Sequence, residues 1–141
     1  MDVVNAMRPN EAQIKEWTSG SVDGPIVMVN LLKFYDKAQY ADGRDPDISG
    51  AEAYQRYGAE VSKIVEGLGG KMIYGGAVTL TLIGEVAEDW DVVACVQYPS
   101  RKAMLEMTMS PEYQAIEVHR DAGLAGQLNI ETVSGFMRPT T

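Results

Sequence analysis

The sequence predicts an α+β domain of βαββαβ order, preceded by one extra helix and paired through its sheet with a second copy of itself. Three features predict it. Runs rich in β-branched residues alternate with helical segments in that order. The first of the two internal helices carries a capping box and an unbroken apolar stripe. Two of the strands are apolar on both faces, so neither face is suited to water. With 141 residues, 45% hydrophobic and 23% charged, the chain is the size of one globular domain and far from the composition of disordered chains. A helical extension is expected over 1–24, a ferredoxin-like domain over 25–133 and a loose tail over 134–141.

Asn10 and Gln13 form an N-cap signature, Ile14 and Trp17 lie three apart, and Gly20 closes the segment, so residues 11–18 read as a short helix. Pro25 opens the first strand, Ile26 to Phe34, which is apolar apart from Asn30 and the penultimate Lys33. Residues 35–48 hold Asp36, Asp42, Gly43, Asp45, Pro46 and Asp47 without periodicity. They read as a surface loop longer than most connections, of the kind that borders a site. Ser49 with Glu52 is a capping box, and Tyr54, Tyr57, Val61, Ile64, Val65 and Leu68 repeat at three-and-four spacing, which sets a helix over 50–67.

Gly67, Gly69 and Gly70 stop that helix. Met72 to Ile83 then reads as a second strand in two segments, bent or bulged at Gly75 and Gly76, with an acidic connection over Glu85 to Asp89. Asp91 to Tyr98 is the third strand. Pro99 ends it, Ser100 caps a short helix through Ala103, Met104, Leu105 and Met107, and Ser110 with Pro111 restarts the helix to about Asp121. Leu128, Ile130 and Thr132 alternate with Asn129, Glu131 and Val133 in the last strand.

A βαββαβ order puts its helices on one face of the sheet, and in a monomer the other face should turn polar at every second residue. Here Val27, Val29 and Leu31 alternate with Ile26, Met28 and Leu32, and Val93 and Cys95 with Val92, Ala94 and Val96. A bare apolar face of that extent exceeds what monomers usually expose, and no helix is left to cover it, so a homodimer is expected.

Twenty acidic against twelve basic residues give a formal charge of −8, which repels nucleic-acid phosphates and anionic membrane surfaces alike. Neither is an expected partner. The start MDVVNAMRPN lacks the basic and apolar signature of an export signal, and the lone Cys95 has no internal disulfide partner, so a cytoplasmic location is expected.

The segments GPIVMVNLLKF, AYQRYGAEV, GGKMIYGG, YPSRKAM and SPEYQAI give the chain a resemblance to the domain-of-unknown-function family thirteen-thirty, within the dimeric α/β-barrel superfamily. The resemblance runs from about Gly24 to Thr132, and SPEYQA after a strand ending in YPS is its most specific part. It implies the ferredoxin-like dimer. It implies no particular activity, since the superfamily includes cofactor-free monooxygenases, lactone isomerases, polyketide cyclases and haem proteins. The N-terminal helix and the insertion around Asp36 to Asp47 depart from the compact pattern.

Candidate chemistry follows from a few residues. Asn30, an amide inside an apolar strand, needs a partner, either a loop backbone or a ligand carbonyl or oxyanion. His119, the single histidine, is the natural proton shuttle, with a solvated imidazole as the plain reading. Arg120 either pairs with Glu117 or Glu112 on its helix or fixes a ligand carboxylate. Tyr54 belongs to the core stripe with its hydroxyl at the cavity rim, while Tyr74 and Trp90 sit at strand ends where side chains are re-aimed.

Together these outline a small-molecule cavity between sheet and helices, with Asn30 and His119 as candidate catalytic residues and Tyr54, Tyr74, Trp90 and Arg120 as ligand-binding ones. The possible reaction is a cofactor-independent oxygenation, isomerisation or cyclisation of a small organic acid or ketone. The alternative is a ligand-binding or stress-associated dimer without turnover, and haem held by the single histidine is a third reading. No metal or cofactor is expected. Asp42, Asp45 and Asp47 lack calcium-loop spacing, one His and one Cys cannot close a zinc site, and no phosphate-binding glycine motif is present.

Overall fold

A computed structural model of the chain describes residues 3–20 and 22–135. The elements run α1 (Glu11–Ser19), β1 (Ile26–Phe34), α2 (Gly50–Gly67), β2 (Lys71–Ala77), β3 (Val92–Tyr98), α3 (Arg101–Met109), α4 (Pro111–Gly123) and β4 (Leu124–Thr132). The four strands form one sheet of order β2-β3-β1-β4 in which every neighbouring pair is antiparallel. This is the predicted βαββαβ arrangement, with α1 in front and the second crossover split into α3 and α4.

The helices begin where side chains satisfy their first amides. The Asn10 side chain accepts from the Gln13 amide, and the Gln13 side chain returns the bond to the Asn10 amide. Ser49 and Ser100 accept from Glu52 and Ala103. Ser110 does double service: it ends α3 and caps α4, with Pro111 already holding a helical φ.

The period-two alternation of β1 then divides its side chains. Ile26, Met28 and Leu32 point at the helices and are buried, the first two in a core with Tyr57, Val61 and Val65 of α2, Val96 and Tyr98 of β3, Met107 of α3 and Tyr113 of α4. Trp17 of α1 packs on the same core, so all four helices lie on one face. On the other face Val27, Val29 and Leu31 line up with Gln97, Cys95 and Val93 of β3 and with Thr132, Ile130 and Leu128 of β4. That face is largely apolar and carries no helix among the described residues.

Helices α2 and α4 meet at two glycines. A Cβ on Gly50 would press on the backbone of Tyr35 and, at 2.8 Å, on the Gly123 carbonyl oxygen, while one on Gly123 would stand 2.8 Å from the Tyr54 amide. The contact therefore needs both to be bare.

The structure corrects two boundaries. The second strand ends at Ala77, and the apolar stretch that follows forms no strand. Only Val78 keeps a ladder-like bond, its amide donating to the Asp91 carbonyl at 2.9 Å. Beyond it Leu80, Leu82 and Ile83 are 61%, 84% and 89% exposed, because β2 is the sheet edge and no strand lies outside it for them to join. The last strand starts at Leu124, four residues earlier than the alternation from Leu128 suggests, since α4 runs through Gly123 directly into the pairing of Leu124 with Phe34.

Candidate functional site

Asn30 lies on the helix-facing side of β1, opposite Ala94 on β3 and Asn129 on β4. Its Nδ2 donates to the Ala94 carbonyl at 3.1 Å and to the Met28 carbonyl at 3.3 Å. The backbone thus supplies the partner that a buried amide needs. The expected role, an amide donating to developing negative charge, does not fit this geometry, because both N–H groups are already given away.

A run of aromatic rings leads from the end of β1 into helices α2 and α4. Phe34 stacks on Tyr54 at 5.2 Å, Tyr54 on Tyr57 at 5.2 Å, and Tyr57 meets Tyr113 edge-on at 5.9 Å. The Tyr57 and Tyr113 hydroxyls are hydrogen-bonded at 2.9 Å. Burial pushes the Tyr54 hydroxyl up to about 12, with the positive charge of Arg120 pulling the other way. Tyr57 and Tyr98 are raised by burial too. These phenols are neutral at any ordinary pH and act as hydrogen-bonding groups.

Arg120 closes this site from α4. Its side chain is 11% exposed; one N–H reaches the Met7 carbonyl at 2.9 Å and another lies 3.5 Å from an Asp121 oxygen. Asp121 is already engaged, since both its oxygens accept from Arg8 at 2.8 and 2.9 Å, and Glu117 also bonds Arg8 rather than Arg120. Arg120 is therefore a mostly buried guanidinium with a weakly held counter-charge beside Tyr54. Asn129, paired with Asn30 and on the same face, is exposed, so the helical layer is open above β4 at that level.

His119, next along α4, turns the other way. Its Nδ1 is hydrogen-bonded to the Tyr40 hydroxyl at 2.7 Å; the Tyr40 oxygen also accepts from Arg56 at 3.1 Å, and Arg56 bonds Asp45 at 2.8 Å. Burial first, then the positive charges of Arg56 and Arg44, hold the imidazole below its usual range. Its contacts are with the 35–48 loop, which also donates the Tyr35 and Gln39 amides to the last carbonyls of α4 at 2.9 and 2.8 Å. The structure does not bring His119 to Asn30.

Tyr74 pairs with Cys95 on the open sheet face and is 59% exposed. Trp90 lines a separate groove of about 250 Å³ with Lys33, Val86 and Glu88. The six predicted residues are thus spread over the fold, and only Tyr54 and Arg120 are close enough for the charge of one to act on the other. Tyr57 and Tyr113 continue the run of rings from Tyr54. Tyr113, Ile116 and Arg120 fall at i, i+3 and i+7, the spacing that places a tyrosine and an arginine on one helix face. Among the described residues no group of three or more His, Cys, Asp and Glu side chains is placed to hold a metal ion. No helix there is long and apolar enough to cross a membrane.

An antiparallel four-stranded sheet with its helices on one face, in βαββαβ order, defines an α+β protein of ferredoxin-like fold. Residues 38–135 match the family described as Domain of unknown function (DUF1330), and the chain belongs to that family. Over 99% of its length it superposes on the whole crystal structure of methylated RPA0582 protein, with a TM-score of 0.85 at 33% identity. A second crystal structure, of RPA0582 as a protein of unknown function from Rhodopseudomonas palustris, is similar at TM-score 0.83 and 32% identity, over 96% of this chain and 100% of that one. A dabb family protein with a ferredoxin-like fold from Mesorhizobium loti is similar at TM-score 0.49 and 12% identity, over 81% of this chain and 100% of that one. No curated protein matches the chain.

Proposed function

We propose that the protein is a cytoplasmic homodimer that binds a small organic acid in the cleft between the helix-facing sheet surface and helices α2 and α4. The observation that carries the ligand reading is Arg120: a side chain 11% exposed, beside Tyr54, with its nearest carboxylate at 3.5 Å and committed to Arg8. A mostly buried cation in that state is suited to an incoming anion, and the rings supply the apolar body of a binding site.

Dimerisation is supported by the sheet face bearing Val27, Val29, Leu31, Val93, Cys95, Leu128 and Ile130, which no helix among the described residues covers, and by the exposed Leu82 and Ile83 beyond its edge. Leu31→Glu puts a charge at the centre of that face. Sedimentation should show a dimer for the wild type and a folded monomer for this variant; a monomeric wild type removes the dimer.

The cleft is tested by calorimetric titration with phenylacetate and benzoate. Binding that Arg120→Gln abolishes, with Trp90→Phe unaffected, supports it, and binding that survives Arg120→Gln refutes it. Turnover is a separate matter, and His119 beside Tyr40 lies outside this cleft.

A further inference from the structure

The polarity of Asn30 specifies the ligand further. Both of its amide hydrogens go to backbone carbonyls, Ala94 at 3.1 Å and Met28 at 3.3 Å. A carbonyl only accepts, so the amide cannot be turned round, and the free atom is Oδ1. No described residue donates to Oδ1. Every sealed side-chain nitrogen or oxygen among the described residues has a partner, so an oxygen without one is reached by solvent. The Tyr54 hydroxyl likewise bonds to no described residue, and its ring is packed between Phe34 and Tyr57. The proposed cleft would therefore offer an acceptor at Asn30 and a cation at Arg120, with the Tyr54 ring as its apolar wall.

Their spacing follows from the fold. The Gly50 amide donates to the Tyr35 carbonyl at 3.0 Å, while β2, which follows α2, starts with Lys71 beside Gln97, next to the Tyr98–Ile26 pair. Helix α2 thus runs antiparallel to β1 along nearly its whole length. Scaling the strand rise of about 3.3 Å against the helix rise of about 1.5 Å puts Asn30 level with the Tyr57–Val61 turn, roughly one to two turns, or ~5–10 Å, along the axis from the level of Tyr54.

Resting on the reading of this cleft as a small-molecule site, we propose that its ligand is a hydroxylated aromatic carboxylic acid, its carboxylate on Arg120, its ring against Tyr54 and its hydroxyl donating to Asn30 Oδ1. The test uses matched probes on the unmodified protein: 4-hydroxybenzoate and 4-hydroxyphenylacetate, their deoxy forms, their 4-methoxy forms, and the methyl esters of the hydroxy acids. The hydroxy acids should bind about tenfold more tightly than the deoxy and methoxy acids, which lack the donor, and about tenfold or more tighter than the esters, which lack the charge.

Asn30→Leu should erase the hydroxyl's advantage and keep the carboxylate's, and Arg120→Gln should do the reverse. If Asn30→Leu does not fold, the hydroxy-to-methoxy comparison on wild type carries the same decision. Equal affinity for hydroxy, deoxy and methoxy acids overturns this proposal and leaves the cleft standing. Failure of the whole series to bind overturns both.

Discussion

Replacing Glu131 by glutamine keeps the shape of the side chain and removes the charge that joins three elements on the helix-covered face. Glu131 projects from β4; its Oε1 accepts from Arg101 Nε at 2.6 Å and from Trp17 Nε1 at 3.1 Å, and its Oε2 from a second Arg101 nitrogen at 2.6 Å. Arg101, in the first turn of α3, also donates to the Trp17 carbonyl at 3.0 Å. The pair is 18% and 17% exposed, close to the buried limit.

Removing one partner of a fully buried pair costs about 3–5 kcal/mol and of an exposed one about 0–1, so this variant should lose about 2–3 kcal/mol. For a chain of this length that lowers Tm by about 6–10 °C at a fixed protein concentration. Arg101's hydrogen bonds, opposed by burial and helped by Trp17, hold the Glu131 carboxyl below its usual value. A lowered carboxylate adds stability above its unfolded pKa of about 4.3 and loses it as pH falls through the folded one, so the gap between wild type and variant should close in acid. Urea unfolding followed by Trp17 emission in a Trp90→Phe background reads it at pH 7 and in acid. A gap under ~0.5 kcal/mol at pH 7, or one unchanged through the acid range, refutes the reasoning.

The His119 imidazole is held below its usual range, so the unfolded chain binds its proton more tightly than the folded one. Its contribution should be complete above about pH 6.5 and diminish as pH falls toward the folded value; a pH-stability profile of His119→Gln lacking that slope checks it. Gly50→Ala, whose Cβ would meet backbone on two sides, should cost ~3 kcal/mol or more, whereas Gly58→Ala in the same helix meets nothing within 4 Å and should add ~0.5–1 kcal/mol. Denaturant midpoints separate the two. Tyr57→Phe, deleting one side of a buried hydroxyl pair at 2.9 Å, should cost about 1–2 kcal/mol by the same measurement.

The fold was legible because it rests on local signals: a capping side chain at Asn10, Ser49, Ser100 and Ser110, the three-and-four stripe from Tyr54 to Leu68, and a strand apolar on both faces. The strand expected over 78–83 was misread because β-propensity describes a side chain suited to a half-buried pleat and says nothing of whether a neighbouring strand exists. The site was legible only in part. Asn30, Tyr54 and Arg120 stand out as polar or aromatic groups at core positions. The direction of His119, by contrast, depends on Tyr40, which sits in a loop with no period to place it. Neighbours on a helix, His119 and Arg120 lie about 100° apart, and the 35–48 loop takes one while the segment at Met7 takes the other.

Strand β1 sets both readings of the molecule, and Asn30 is where they meet. Val29 and Leu31 on one side of it belong to the uncovered face, and a slip of one residue against β3 would send them into the tyrosine wall and turn Asn30 outward. The bond from Asn30 to the Ala94 carbonyl, its cross-strand partner, opposes that slip, since a displaced amide would face apolar neighbours with its donors unmet. One side chain thus holds register through its nitrogen and leaves its oxygen for the proposed ligand. A variant at Asn30 disturbs both, which is why the hydroxy-to-methoxy pair on unmodified protein is the cleaner measure of the oxygen's part.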